Sequence, residues 1–214
     1  MPWVPDSTTA GYLGPNDPPS PAPLQDDQWE NFLHDWIAGI SGYDPTMLHP
    51  RWQPEGVNLA DFGTDWMAFG VEVTVPDFMP WEGHIDTPDG GYDAVQEHEI
   101  VEVMCSFYGP NCERYASITR RGAFLDQNRA ALRANATGLV EITPFTHAPE
   151  QIMEQWLSRV DMTIVLRREI RYDYNVRTLV RAQGTITANP AEPDRTVVTE
   201  FDTADVLAPS PSEE

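Results

Sequence analysis

Residues able to do chemistry gather in four places along the chain. His84, Asp86, Asp89 and Asp93 lie close together in sequence, an oxygen-rich group of the kind that hard divalent cations take. Their spacing lacks the alternating Asp frame, turn Gly and closing Glu of an EF-hand loop, so a solvated acidic loop is the competing account. Glu97 and Glu99 are two residues apart and share a face if their segment is a strand, as paired carboxylates for acid–base work would. No acid partner is placed near them, and exposed strand glutamates are ordinary; His98 between them is expected at the surface. Arg167, Arg168 and Arg171 form a basic run suited to phosphate, or to carboxylates across a subunit boundary or on an exposed sheet face. Arg120 and Arg121 belong with Arg114, Arg129 and Arg133 to a second basic group.

Motifs of known chemistry are absent. There is no nucleophile elbow, no HExxH, no P-loop and no GxGxxG. All 13 basic residues are Arg, so Schiff-base chemistry and a P-loop lysine are excluded. With 34 acids among 214 residues and a net charge of -21, binding that depends on neutralising nucleic-acid phosphates or anionic lipid is excluded as well. No catalytic residue, metal or cofactor is expected; an enzyme of unrecognised type remains open, because perturbed groups in a pocket leave no mark in a sequence.

The charge is segregated. Residues 1–102 carry 19 acids and Arg51 as their sole base. Residues 103–188 carry 8 acids and 11 arginines, and residues 189–214 carry 7 acids and Arg195. A salt-adapted or GC-rich genome accounts for missing Lys but would load all faces alike, so the segregation points to a local cause too. Cys105 and Cys112 are too few for a metal cluster or a disulfide scaffold and are expected to be reduced thiols, although their spacing would let them approach. No apolar run approaches the ~18 residues of a membrane span. The start, Met1-Pro2-Trp3-Val4-Pro5-Asp6, has neither the basic nor the apolar region of a secretory signal.

The elements that must position these residues follow from periodicity. Trp29, Phe32, Leu33, Trp36, Ile37 and Ile40 fall on one helical face, with Asp26 and Asp27 at the positive end and Gly42 as the stop. Residues 45–65 are expected as irregular coil. Alternation predicts strands over Trp66–Val75 and Ala94–Tyr108, joined by a long acidic loop, Asp77–Asp93, of a length that is usually functional. Gly109-Pro110 ends the second strand. A helix is predicted over Cys112–Asn135, its stripe Tyr115, Ile118, Gly122, Leu125 and Leu132 against the sheet and Arg120 and Arg121 toward a neighbour. Leu139–Phe145 is a short strand, Pro149–Trp156 a helical turn, Val160–Tyr172 a long strand, and Val176–Ala188 and Arg195–Phe201 weaker strands.

The fold class is therefore α+β, a mainly antiparallel sheet with two helices on one face. Eleven of the 20 prolines lie in residues 1–25 and 189–214, so extended arms are expected there, flanking a domain over 26–188.

Five segments then occur in a recognisable order. They are Leu48-His49-Pro50-Arg51-Trp52-Gln53-Pro54; Trp66-Met67-Ala68-Phe69-Gly70; His98 to Pro110; Trp156 to Met162; and Arg167-Arg168-Glu169-Ile170-Arg171-Tyr172. Over about Gly11 to Leu179 the sequence resembles the neck terminator family of tailed bacteriophages, proteins of the head–tail junction, and residues 180–214 extend past that pattern. The resemblance implies a small α+β fold assembled as a hexameric ring. Such a ring caps the tail tube and meets the head connector or collar, with a sheath as a further neighbour in a contractile tail. It implies a virion protein assembled in the host cytoplasm, with no catalysis. The genomic DNA would pass through the ring without specific binding, along a channel expected to be lined by Asp86, Asp89, Asp93, Glu97 and Glu99. Arg120, Arg121, Arg167, Arg168 and Arg171 are expected at the subunit interface, since a heterologous ring contact needs unlike patches. A head-completion protein at the same junction, and a cation- or small-molecule-binding protein using the 77–93 loop, are the alternatives.

Overall fold

The apolar stripe of the first predicted helix does form one, α1 (Asp26–Ser41), which buries Trp29, Leu33, Trp36, Ile37 and Ile40. Gly42 stops it at φ 72°, its N–H donating to the Ala38 carbonyl, a left-handed cap that favours glycine. The computed structural model describes residues 23–52, 63–87, 90–152, 154–174, 183–188 and 197–202. Residues 1–22 and 203–214, and so most of the two expected arms, lie outside the described residues. Two compact units are distinguished, one from Pro15–Gly83 and Ala94–Asp173, the other from Met1–Gly14, His84–Asp93 and Tyr174–Glu214.

In the larger unit the stretch expected as coil contains a short 3-10 helix, Pro45–Met47, and strand β1 (Leu48–Pro50). Asp44 caps the 3-10 turn by accepting from the Thr46 N–H at 2.9 Å. β1 lies parallel to β2 (Trp66–Pro76), with Leu48 opposite Met67. β3 (Trp81–Thr87) and β4 (Gly90–Tyr108) follow, with their His84–Asp93 stretch belonging to the smaller unit. The long acidic loop is thus mostly strand, because β3 pairs with β4. β3 buries none of its side chains, so it lacks the apolar face whose alternation would have marked it in the sequence.

The predicted long helix is two helices, α2 (Cys112–Ala123) and α3 (Asp126–Ala134). Leu125 is extended at φ -68°, ψ 131° and breaks the run. The side chain of Asn128 donates across the break to the Gly122 carbonyl at 2.8 Å, which also accepts from the Leu125 N–H at 3.1 Å. No Gly or Pro marks the break, only Asp126, which favours the start of a new helix. The buried face of α2 is Cys112, Ala116, Thr119, Gly122 and Ala123, so Ile118 and Leu125 point outward instead of onto the sheet. Gly122 packs against a helix: a Cβ there would sit 2.7 Å from the Ile40 carbonyl oxygen at the end of α1.

β5 (Thr137–Ile142), β6 (Thr146–His147), the small hairpin β7 (Glu150–Ile152) and β8 (Gln155–Leu157), and β9 (Arg159–Tyr174) complete the unit. The hairpin replaces the expected helical turn. The sheet runs β1-β2-β4-β9-β5, with β3 also on β4 and β6 also on β9; β1–β2 is parallel, and β2–β4, β5–β9 and β6–β9 are antiparallel. This is the expected α+β class, with three α-helices among the described residues.

The core lies under the helices. Met67 and Phe69 of β2, Val101, Val103, Cys105 and Phe107 of β4, and Val160, Met162, Ile164 and Leu166 of β9 meet α1, Leu132 of α3 and the buried face of α2. On the opposite face Trp66 stacks on Tyr108 at 4.0 Å. In the smaller unit β10 (Gln183–Ala188) pairs antiparallel with β11 (Val197–Asp202), which matches the two weaker strand expectations in the residues described. No helix of the described residues is long and apolar enough to cross a membrane.

Candidate functional site

The acidic group of the β3–β4 hairpin forms around a histidine. The His84 ring sits 2.7 Å from Asp93 and 3.2 Å from Asp86. The hydrogen bond with Asp93 raises the His84 pKa above its ordinary 6.5, with the Asp86 charge adding to it. A proton-bearing His84 satisfies both carboxylates. Asp89 lies outside the described residues. Among the described residues no group of three or more His, Cys, Asp and Glu side chains is arranged to hold a metal ion.

Glu97 is partly exposed on β4, whereas Glu99 is buried, 8% exposed. Arg168 of β9 is equally buried at 9%, and its Nε donates to Glu99. The Arg168 guanidinium also lies 4.5 Å from the Trp29 ring and donates to the Leu24 carbonyl at 2.8 Å. Both side chains are largely buried within the subunit, where each neutralises the other at the end of the core. A single buried cation here ties α1, β4 and β9 together. Sequence alternation carried the signal, since Arg168 falls in phase with Val160, Met162, Ile164, Leu166 and Ile170.

Arg167 and Arg171 lie on the opposite side of β9. Arg167 reaches Asp77 at 3.4 Å, and Arg171 reaches Asp173 at 3.2 Å. His98 stands 3.7 Å from both Asp77 and Glu169. These half-exposed charges pin the start of the β2–β3 turn, where the Asp77 N–H also donates to the His98 carbonyl at 2.8 Å.

α2 carries a different kind of arginine. Arg114, Arg120 and Arg121 are exposed, and none has a carboxylate partner among the described residues. Arg120 lies over the Phe124 ring at 5.6 Å. Ile118, Phe124 and Leu125 are exposed beside them. A cleft of about 330 Å³ runs along this helix, lined by Ser117, Arg120, Arg121, Ile142, Pro144 and Phe145. Arginine among exposed apolar and aromatic side chains is the composition of a protein interface.

The start of α2 is fixed from a distance. Asp65 accepts from the Asn111 N–H and side chain, each at 2.8 Å. Gly109, at φ 103°, leaves room for it, since a Cβ would meet the Thr64 carbonyl at 2.6 Å. Cys105 and Cys112 are free and buried, and burial pushes both thiols up, away from reactivity.

A second exposed group stands outside the four places named from the sequence. Phe78 is fully exposed at 105%, Met79 at 79% and Trp81 at 57%, all at the β2–β3 turn. The available signal was three large apolar side chains set between Pro76, Pro80 and acidic neighbours, where neither helix nor buried strand could shelter them.

The arrangement is one of surfaces and charge pairs. The model of a family described as phage neck terminator protein matches residues 27–190, about three quarters of the chain. The match begins later than the segment resemblance and runs on past Leu179 to include β10. No curated protein matches the chain.

Proposed function

The chain belongs to the phage neck terminator protein family, and on that premise we propose that it closes into a ring, a hexamer, that caps the tail tube and joins it to the head connector. The family is one of structural phage proteins of the neck, which places the chain in the virion among other head and tail proteins. The finer reading is carried by one observation. In a chain of net charge -21, three exposed arginines of α2 stand without carboxylate partners among the described residues, beside exposed apolar side chains. Exposed arginines with no carboxylate among the described residues suit a partner that brings carboxylates. A ring built by repeating one contact needs such a patch on one side of each subunit and an acidic, unlike patch on the other.

In this reading Arg120 and Arg121 lie at the subunit boundary, with Arg167 and Arg171 near it through the half-exposed charges of β9. Asp86, Asp93 and Glu97 face the channel, where negative charge keeps DNA phosphates from adhering and lets the genome slide. The ring assembles in the host cytoplasm before head and tail join. Imaging of intact necks tests this. Six copies in a closed ring between tail tube and connector is the expected result, and a chain absent from the particle would overturn it.

A further inference from the structure

We infer that the β2–β3 turn of one subunit docks into the cleft beside α2 of the next copy. This rests on the ring reading and specifies its contact. Phe78, Met79 and Trp81 project into solvent with Asp77 and Glu82 flanking them. Three such side chains in one short turn make an apolar knob rimmed by acid, and contiguous exposed apolar surface of this kind marks a contact site. The knob is pre-shaped. Its first residue is tied to β4 and β9 through His98 and Arg167. The indole of Trp81 lies across Gly83, where a Cβ would come within 2.3 Å of the ring. A knob held in shape before contact loses little entropy on docking.

The cleft has the complementary chemistry. Its wall is apolar, from Ile142, Pro144 and Phe145, and its rim carries Arg120 and Arg121 without carboxylate partners among the described residues. Apolar knob meets apolar wall while the flanking Glu82 meets the basic rim, and buried aromatic anchors beside Arg dominate such contacts. The occupant is a second copy because both halves are present on one chain and share no residue. A contact between unlike patches of identical chains is what generates a ring. A foreign partner would account for only one of the two.

The test is a cysteine pair, Met79→Cys with Ser117→Cys in one chain, oxidised in assembled particles and run without reductant. The native thiols are buried and leave the background low. A ladder of covalent oligomers up to the ring number is expected, each single variant giving none. The variant Trp81→Ser with Phe78→Ser should lose at least ten-fold in ring assembly while its thermal midpoint stays put, both side chains being exposed. A ring visible in particles with no ladder, or one that persists in the Trp81→Ser, Phe78→Ser variant, overturns the docking and leaves the ring reading standing. If these variants keep the ring but lose tail joining, the knob serves the tube protein and the inference is likewise overturned. If the unaltered chain forms no ring in particles, the ring reading itself has failed. The isolated cysteine-pair chain at high concentration then decides the docking alone, a ladder supporting it and no ladder rejecting it.

Discussion

The arginines of β9 and those of α2 are the same residue type put to opposite use. Arg167, Arg168 and Arg171 each have a carboxylate of their own chain within reach. Arg114, Arg120 and Arg121 have none among the described residues. The cause is geometric. β9 is a central strand, so its neighbours β4 and the β2–β3 turn bring Glu99 and Asp77 alongside. α2 exposes its outer face to solvent, where none of Arg114, Arg120 and Arg121 meets a described carboxylate, because the inner face is committed to Gly122 against α1 and to Ala116 and Ala123 in the core. Paired arginines hold the subunit together, and those without a carboxylate among the described residues are the ones we propose for a neighbour.

Removing a partner from the paired group should have the largest effect. Arg168→Met leaves Glu99 buried without its cation and is expected to cost about 3–5 kcal/mol in urea unfolding. Replacing both, Arg168→Met with Glu99→Leu, should recover much of that loss, because the expense lies in the stranded charge. A small effect of the single variant would break the distinction between the two groups. On the inner side of α2, Gly122→Ala pushes a methyl against the Ile40 carbonyl and should cost about 1–3 kcal/mol by the same measurement. Arg167→Ala removes a half-exposed pair and should cost no more than about 1 kcal/mol.

The outer face should give the reverse pattern. Arg120→Glu with Arg121→Glu is expected to change unfolding by no more than about 0.5 kcal/mol, as exposed substitutions do, while abolishing ring assembly. A large stability loss there would mean these arginines act within the subunit after all. The smallest effect is expected at His84. Its raised pKa means that protonation favours the folded hairpin, so its contribution is present below pH 6.5 and fades as pH rises through the folded-state value. Asp93→Asn should lower the pKa of His84 in an NMR titration, the Asp93 hydrogen bond being the main cause of the shift.

Much of this architecture was legible in the sequence. The α1 stripe and the alternation of β2, β4 and β9 are strong signals because each element buries one continuous face. β3 was hidden by its exposure, and the α2–α3 break by the lack of a breaker residue. The same break turned Leu125, which helical spacing assigns to the core, into a 60% exposed surface residue. The arginine groups show the limit most clearly. Spacing placed Arg168 in phase with core residues, yet only the fold supplies Glu99, 69 positions away, as its partner. Pairing across a sheet depends on topology, which local periodicity does not encode.

The ring that we propose closes through the outer face of α2. Averaged images of the intact neck at subunit resolution test it directly. Six copies in one closed ring at the tail end, with Arg120 and Arg121 at each subunit boundary, are expected. A neck in which this chain forms no closed ring, or a ring in which the outer face of α2 lies open to solvent at every boundary, would contradict it.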